Sequence, residues 1–213
     1  MDQRALLNQA IALHQTGRLA DAERLYRQLM MANPREAAAH HMLGVVRAQQ
    51  GRNGEALELI AAALALKPDT PEILSNYGNV LKAQGRADEA LASYDKALAI
   101  KPGYAAAWNK RALALHDLGR LDEALESAGR ALALQPHHVE ALNTCGMVLA
   151  DFGRQDEALA HYDRALALAP GFPDALSNRA LTLKSLNRLE EALASVEQAL
   201  TAQGDFVQAW NNR

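Results

Sequence analysis

Proline returns at a fixed step of 34 residues along this chain: Pro34, Pro68, Pro102, Pro136 and Pro170 are in phase, and Gly204 stands at the next place. The same step carries Gly17, Gly51, Gly85, Gly119 and Gly153 with Asn187 sixth, and an arginine follows each of them. Ala22, Ala56, Ala90, Ala124, Ala158 and Ala192 recur without exception. A period of this length is the mark of a tandem array in which one supersecondary unit is repeated. Placing the proline thirty-second in the unit gives repeats 3–36, 37–70, 71–104, 105–138, 139–172 and 173–206. Residues 207–213 are then the start of a seventh repeat or a truncated cap, since Gln208, Ala209, Trp210 and Asn211 parallel Ala106, Ala107, Trp108 and Asn109.

The unit reads as a pair of helices. Of the 213 residues 44 are Ala and 34 Leu, whereas Val, Ile and Thr together number 16. That balance favours helix and leaves a sheet short of the β-branched residues that fit its pleat. In the third repeat Pro71 suits a first helical turn, where its missing N–H costs nothing, and the pattern runs to Gly85, a residue suited to a helix C-terminus. A second helix follows Arg86, carries Asp88 and Glu89 where the helix dipole is positive, and stops before Pro102.

Small and large residues hold fixed places within the unit. The eighth position is Ala10, Gly44, Gly78, Ala112, Gly146 or Ala180, so paired helices can approach closely there. Leu6, Leu74, Trp108, Leu142 and Leu176 stand at the fourth position, and Tyr26, Ile60, Tyr94, Tyr162 and Val196 at the twenty-fourth. A pair of short helices is too small to bury these alone, so neighbouring units must stack and share a core.

With its turn glycine, recurring alanine, aromatic and closing proline, this unit resembles the tetratricopeptide repeat. Trp108, Ala112, Gly119, Ala124 and Pro136 match the family pattern within one unit. His40 departs from it at the fourth position and Ala128 at the twenty-fourth, while Arg111 and Arg179 stand where the family usually has Leu; looser packing is expected at these places. The resemblance implies an all-α, right-handed superhelical solenoid of antiparallel helix pairs, whose first helices line a concave groove for partner segments.

The composition excludes several other classes. The net charge of −3 gives no positive footprint for phosphates, so nucleic acid is not expected as a partner. A single cysteine, Cys145, excludes an internal disulfide framework and reads as a small buried thiol. No apolar run approaches a membrane span, and no secretory leader is visible at the N-terminus, which points to the cytoplasm. No nucleophile elbow, zinc-protease or phosphate-loop motif is present, and His40, His41, His137 and His138 read as structural or solvated side chains rather than metal ligands. The expectation is a non-catalytic protein without cofactor or metal. The six Gly-Arg or Asn-Arg pairs read as turn charges next to acids.

The feature that packing does not demand is a polar stripe on the first helices. At 3.6 residues per turn, positions 2, 5, 6, 9, 12 and 13 share a face. The residues assigned to a peptide-binding groove are Asn8, His41, Met42, Asn76, Asn79, Lys82, Asn109, Lys110, His116, Asn143, Asn178 and Lys184. A side-chain amide both donates and accepts, so it can satisfy the main chain of an extended peptide whatever that peptide's side chains are. The stripe is similar to the asparagine ladder in the repeat region of O-linked N-acetylglucosamine transferases, with Asn8, Asn76, Asn178 and Asn212 in place and Met42, Lys110 and Thr144 interrupting it. The resulting expectation is a protein-interaction scaffold or adaptor. Alternatives are the substrate-recognition region of a larger enzyme such as a glycosyltransferase, or a self-assembling scaffold that associates through an uncapped C-terminal end.

Overall fold

The computed structural model describes the backbone of residues 3–211 and the side chains of residues 3–202, so the Trp210 and Asn212 side chains singled out above lie outside the described residues. Among the described residues there are twelve helices and no strand. They fall into two compact units, Met1–Pro102 and Gly103–Arg213. The first unit holds α1 (Gln3–Gln15), α2 (Leu19–Ala32), α3 (Ala37–Gln49), α4 (Asn53–Leu66), α5 (Pro71–Ala83) and α6 (Ala87–Ile100). The second holds α7 (Ala105–Asp117), α8 (Leu121–Leu134), α9 (Val139–Asp151), α10 (Gln155–Leu168), α11 (Pro173–Ser185) and α12 (Leu189–Asn211). Within each unit the helices pack as successive hairpins, and the second helix of a hairpin also packs on the first helix of the next.

Each hairpin turn closes in the same way. The helix ends in a residue of positive φ, from +71° to +78° at the five turn glycines and 58° at Asn187. This left-handed residue lets the following arginine N–H reach back to the fifth preceding carbonyl, as in Arg18 to Leu13 at 2.9 Å and Arg188 to Leu183 at 2.9 Å. The arginine side chain then grips the acid three residues on, in the first turn of the next helix: Arg86 Nε donates to Glu89 Oε1 at 2.6 Å, and Arg120 and Arg154 hold Glu123 and Glu157 alike. These pairs are exposed, so solvent screening leaves each a minor contribution to stability, and their role is to fix the turn.

The hairpins close on the small eighth position. A Cβ on Gly78 would fall 2.7 Å from the Tyr94 ring, and one on Gly146 would fall 2.5 Å from that of Tyr162, so these helices touch where a side chain is missing. Where alanine takes the eighth position in the fourth repeat, its opposite number shrinks: Ala112 and Ala128 lie in one buried cluster with Cys145.

The family departures do not pack loosely. Arg111 Nη1 donates to Ser127 Oγ at 2.6 Å, and Arg179 Nη1 donates to Ser195 Oγ at 2.7 Å while its Nε reaches Asp163 Oδ1 at 2.7 Å. An arginine at the seventh position is thus matched by a serine sixteen residues on, across the hairpin. Ala128 is fully buried, and His40 lies half-buried with Nδ1 3.1 Å from the Glu36 carbonyl.

The end of the chain differs from a new hairpin. With Gly204 where the phase would put proline, nothing stops the helix, and α12 runs unbroken from Leu189 to Asn211.

Candidate functional site

The first helices carry their polar residues in two series that link neighbouring repeats. In the first unit His41 of α3 meets Asn76 of α5, with 2.8 Å between Nε2 and Nδ2, and Asn79 Nδ2 donates to Asn76 Oδ1 at 3.2 Å. The Tyr94 hydroxyl donates to Asn79 Oδ1 at 2.9 Å. In the second unit Asn178 of α11 donates to Asn143 of α9 at 3.0 Å. His41 to Asn76 and Asn143 to Asn178 are each 35 residues apart, one repeat plus one residue. The same step joins His14 to Gln49 at 2.9 Å and His116 to Asp151 at 2.6 Å, nearer the ends of the first helices.

The sequence-predicted residues are therefore brought together in part. His41, Asn76 and Asn79 form one connected group, and Asn143 with Asn178 another. Met42 is half-buried against the core of the first two repeats. Asn8 and Lys184 are exposed on α1 and α11, and Lys82 and Lys110 are half-buried. Asn109 is more deeply set than a groove-surface residue, at 2% exposure, and its Oδ1 is buried without a hydrogen-bond partner. Ser75 and Thr144, on the same expected stripe, are also buried, and the Thr144 hydroxyl donates to the Glu140 carbonyl at 2.8 Å. Burial here comes from the neighbouring repeats, which a helical-wheel reading of one helix does not include. Tyr94, Gln49 and Asp151 were missed; the signal for the last two is the 35-residue step from His14 and His116.

Two clefts lie on these faces. In the first unit Val45, Ala48, Gln49, Ile60, Asn76, Asn79 and Val80 enclose about 300 Å³. In the second, Ala106, Asn109 and Lys110 of α7 face Gln135, His137, His138, Val139 and Glu140 across about 490 Å³. His138 Nδ1 lies 3.1 Å from Glu140 Oε2.

Burial favours the neutral form of His41 and of Cys145. Burial holds His41 below the ordinary imidazole range, and the Glu72 carboxylate only partly offsets this. Glu72 is itself held low, chiefly by a hydrogen bond from Lys101, whose Nζ lies 2.7 Å away. Burial pushes the Cys145 thiol up to about 11, away from the reactive thiolate. Among the described residues no three His, Cys, Asp or Glu side chains come together as a metal site.

Four family models match this sequence, one described as TPR repeat at residues 78–119 and three as Tetratricopeptide repeat at residues 7–71, 103–170 and 161–194. The chain carries tetratricopeptide repeats. Among curated proteins, none shows significant similarity to the sequence. Solved structures of tetratricopeptide-repeat type share its fold. A thermophilic TPR protein from Thermus thermophilus is 26% identical, with a TM-score of 0.73 over 85% of this chain and 98% of that one. PilW, a type IV pilus biogenesis factor, is 21% identical, with a TM-score of 0.79 over 99% of this chain and 94% of that one. YrrB, described as a TPR protein with an unusual peptide-binding site, is 24% identical, with a TM-score of 0.59 over 88% of this chain and 96% of that one. Among the described residues of this repeat protein no helix is long and apolar enough to cross a membrane.

Proposed function

We propose that this repeat protein is a non-catalytic cytoplasmic scaffold or adaptor that binds an extended segment of a partner protein along the first helices of its repeats. The observation that carries the reading is the cleft of about 300 Å³ in the first unit, where Val45, Ile60 and Val80 form an apolar floor and Asn76 and Asn79 stand at its side. An extended chain puts alternate side chains on one side of its backbone. A small apolar side chain fits the floor while the amides exchange hydrogen bonds with the peptide main chain. Asn143 and Asn178 offer a second amide pair of the same kind in the second unit. The peptide-binding site named for YrrB supports the reading by analogy of fold.

The test is selection from a displayed library of unstructured peptides, followed by affinity measurement on the selected sequences. Asn76→Ala with Asn79→Ala is expected to weaken binding by roughly tenfold or more, measured where both proteins are folded, because losing the Asn79 acceptor of the buried Tyr94 hydroxyl also costs about 1–3 kcal/mol of stability. Equal affinity in that variant removes this reading of the amides.

A further inference from the structure

Along the first helices, a side chain at the fifth position of one repeat meets the one at the sixth position of the next, 35 residues on. His41 and Asn76 close this rung in the first unit, and Asn143 and Asn178 close it in the second. Asn109 and Thr144 stand at the same two places, and there the rung is open. The Thr144 hydroxyl turns back to donate to the Glu140 carbonyl at 2.8 Å, and Asn109 Oδ1 is left buried without a hydrogen-bond partner.

An amide at 2% exposure with an unanswered acceptor is unusual, because buried polar groups are almost always paired. Asn109 is not sealed in, however. It stands on the wall of the cleft of about 490 Å³ that Lys110, His138, Val139 and Glu140 also line.

The rest of this wall is rich in donors. Lys110 is half-buried and pairs with no acid among the described residues, whereas Lys101 is held by Glu72. α9 begins here at Val139, and no side chain caps its first N–H groups. These groups form the positive end of the helix. The Glu140 carboxylate does not answer Lys110, since its Oε2 lies 3.1 Å from His138 Nδ1.

We propose that this cleft is a specificity subsite of the groove, reading one acidic residue of an extended partner segment; the inference rests on the peptide-binding role proposed above. The main-chain N–H of that residue donates to Asn109 Oδ1, and its carboxylate accepts from Lys110 and from the start of α9. An N–H beside a carboxylate is what an aspartate or glutamate within a chain presents, and it answers each unpaired group with its opposite.

The test repeats the library selection on wild type and on Lys110→Glu, each checked by circular dichroism. Wild type is expected to select peptides with Asp or Glu at a fixed place, and Lys110→Glu to select Lys or Arg there. Exchanging that acid for Lys in a peptide selected on wild type should lower its affinity for wild type by roughly tenfold or more and restore binding to the Lys110→Glu variant. Asn109→Leu keeps the side chain's size and removes the unanswered acceptor. It should weaken the same peptide by roughly tenfold or more without lowering the urea midpoint, which loss of a structural amide would lower. Free aspartate or glutamate at millimolar concentration should not displace the peptide; displacement would make the ligand a free amino acid and overturn the assignment. Peptides that need Asn76 and Asn79 yet ignore Lys110→Glu or Asn109→Leu overturn this subsite and leave the first-unit reading standing. A library that yields no binder overturns both.

Discussion

Arg47 and Glu23 join the first two repeats through a two-pronged ion pair: Nη1 donates to Oε2 and Nη2 to Oε1, both at 2.7 Å. Arg47 is 2% exposed, and its Nη1 also donates to Gln50 at 2.7 Å, so this guanidinium sits inside the protein. The pair spans the 24-residue seam that leucines fill elsewhere, as Leu159 and Leu183 do in the second unit. Removing Glu23 leaves the buried Arg47 with only Glu55, 3.2 Å from its Nε, and Gln50, whereas replacing both Glu23 and Arg47 by leucine recreates the seam found in the other repeats. Glu23→Leu alone is therefore expected to cost about 3 kcal/mol, while Glu23→Leu with Arg47→Leu lies within about 1 kcal/mol of wild type or is more stable. Urea titration of the two variants measures this; a double variant less stable than the single one contradicts the seam equivalence.

The same pair sets an acid limit. The hydrogen bonds from Arg47 hold the Glu23 carboxyl below the usual carboxylate range, with burial working against them. A lowered folded pKa gives stability that is present above the unfolded pKa and lost as pH falls through the folded one. Wild type should thus lose more stability than the double leucine variant between about pH 5 and about pH 3. Parallel loss in the two proteins counts against it.

The repeat phase was legible because helix propensity, turn chemistry and small residues agree at every unit. Gly17 and its successors announce the turns, and even Asn187 adopts the positive φ of its place. Contacts between repeats were not legible in this way. Glu23 looks like one more surface acid on α2, and its partner 24 residues away is found only when two phases are read together. On the stripe of the first helices the sequence likewise leaves out the neighbours: His41, Asn76 and Asn79 connect, and Asn109 and Thr144 are covered by helices that the reading of a single face does not include.

His41 and His161 supply a second pH effect of opposite origin. Burial holds both below the ordinary imidazole range, with Arg164 adding to the effect at His161. Above the unfolded value of about 6.5 neither state takes up a proton and stability is flat. Below it the unfolded chain protonates while the folded one resists, so stability falls as pH drops toward the folded values. Neutral His41 can also accept the Asn76 amide hydrogen at Nε2, a bond lost on protonation. The urea midpoint of wild type should fall between about pH 7.5 and about pH 5.5, and that of His41→Gln with His161→Gln should fall less. The reverse order would show that the folded state prefers the charged imidazoles.

Cys145 should be inert. It is 2% exposed in the cluster of Ala112 and Ala128, with its pKa pushed up to about 11 by burial. A thiol-specific disulfide reagent at neutral pH is expected to label native protein no faster than the hairpin opens, and to label urea-unfolded protein at once. Prompt labelling of the native chain would place this thiol outside the core.

The close approach of paired helices makes a coupled prediction. A Cβ on Gly146 would meet Tyr162 Cε1 at 2.5 Å, and Tyr162 is 1% exposed, so its ring has nowhere to retreat. Gly146→Ala should therefore cost about 1–3 kcal/mol through overpacking, although alanine is the better helix former. Tyr162→Val alone should cost about 2–4 kcal/mol by leaving a cavity. Together the two substitutions produce the alanine and valine combination that the sequence carries at the same two places of the last repeat, Ala180 and Val196. The added methyl then fills part of the space the ring vacates, so the double variant should lose less than the sum of the singles by about 1 kcal/mol or more. Additive losses in a double-mutant cycle would mean that the eighth and twenty-fourth positions do not set each other's size.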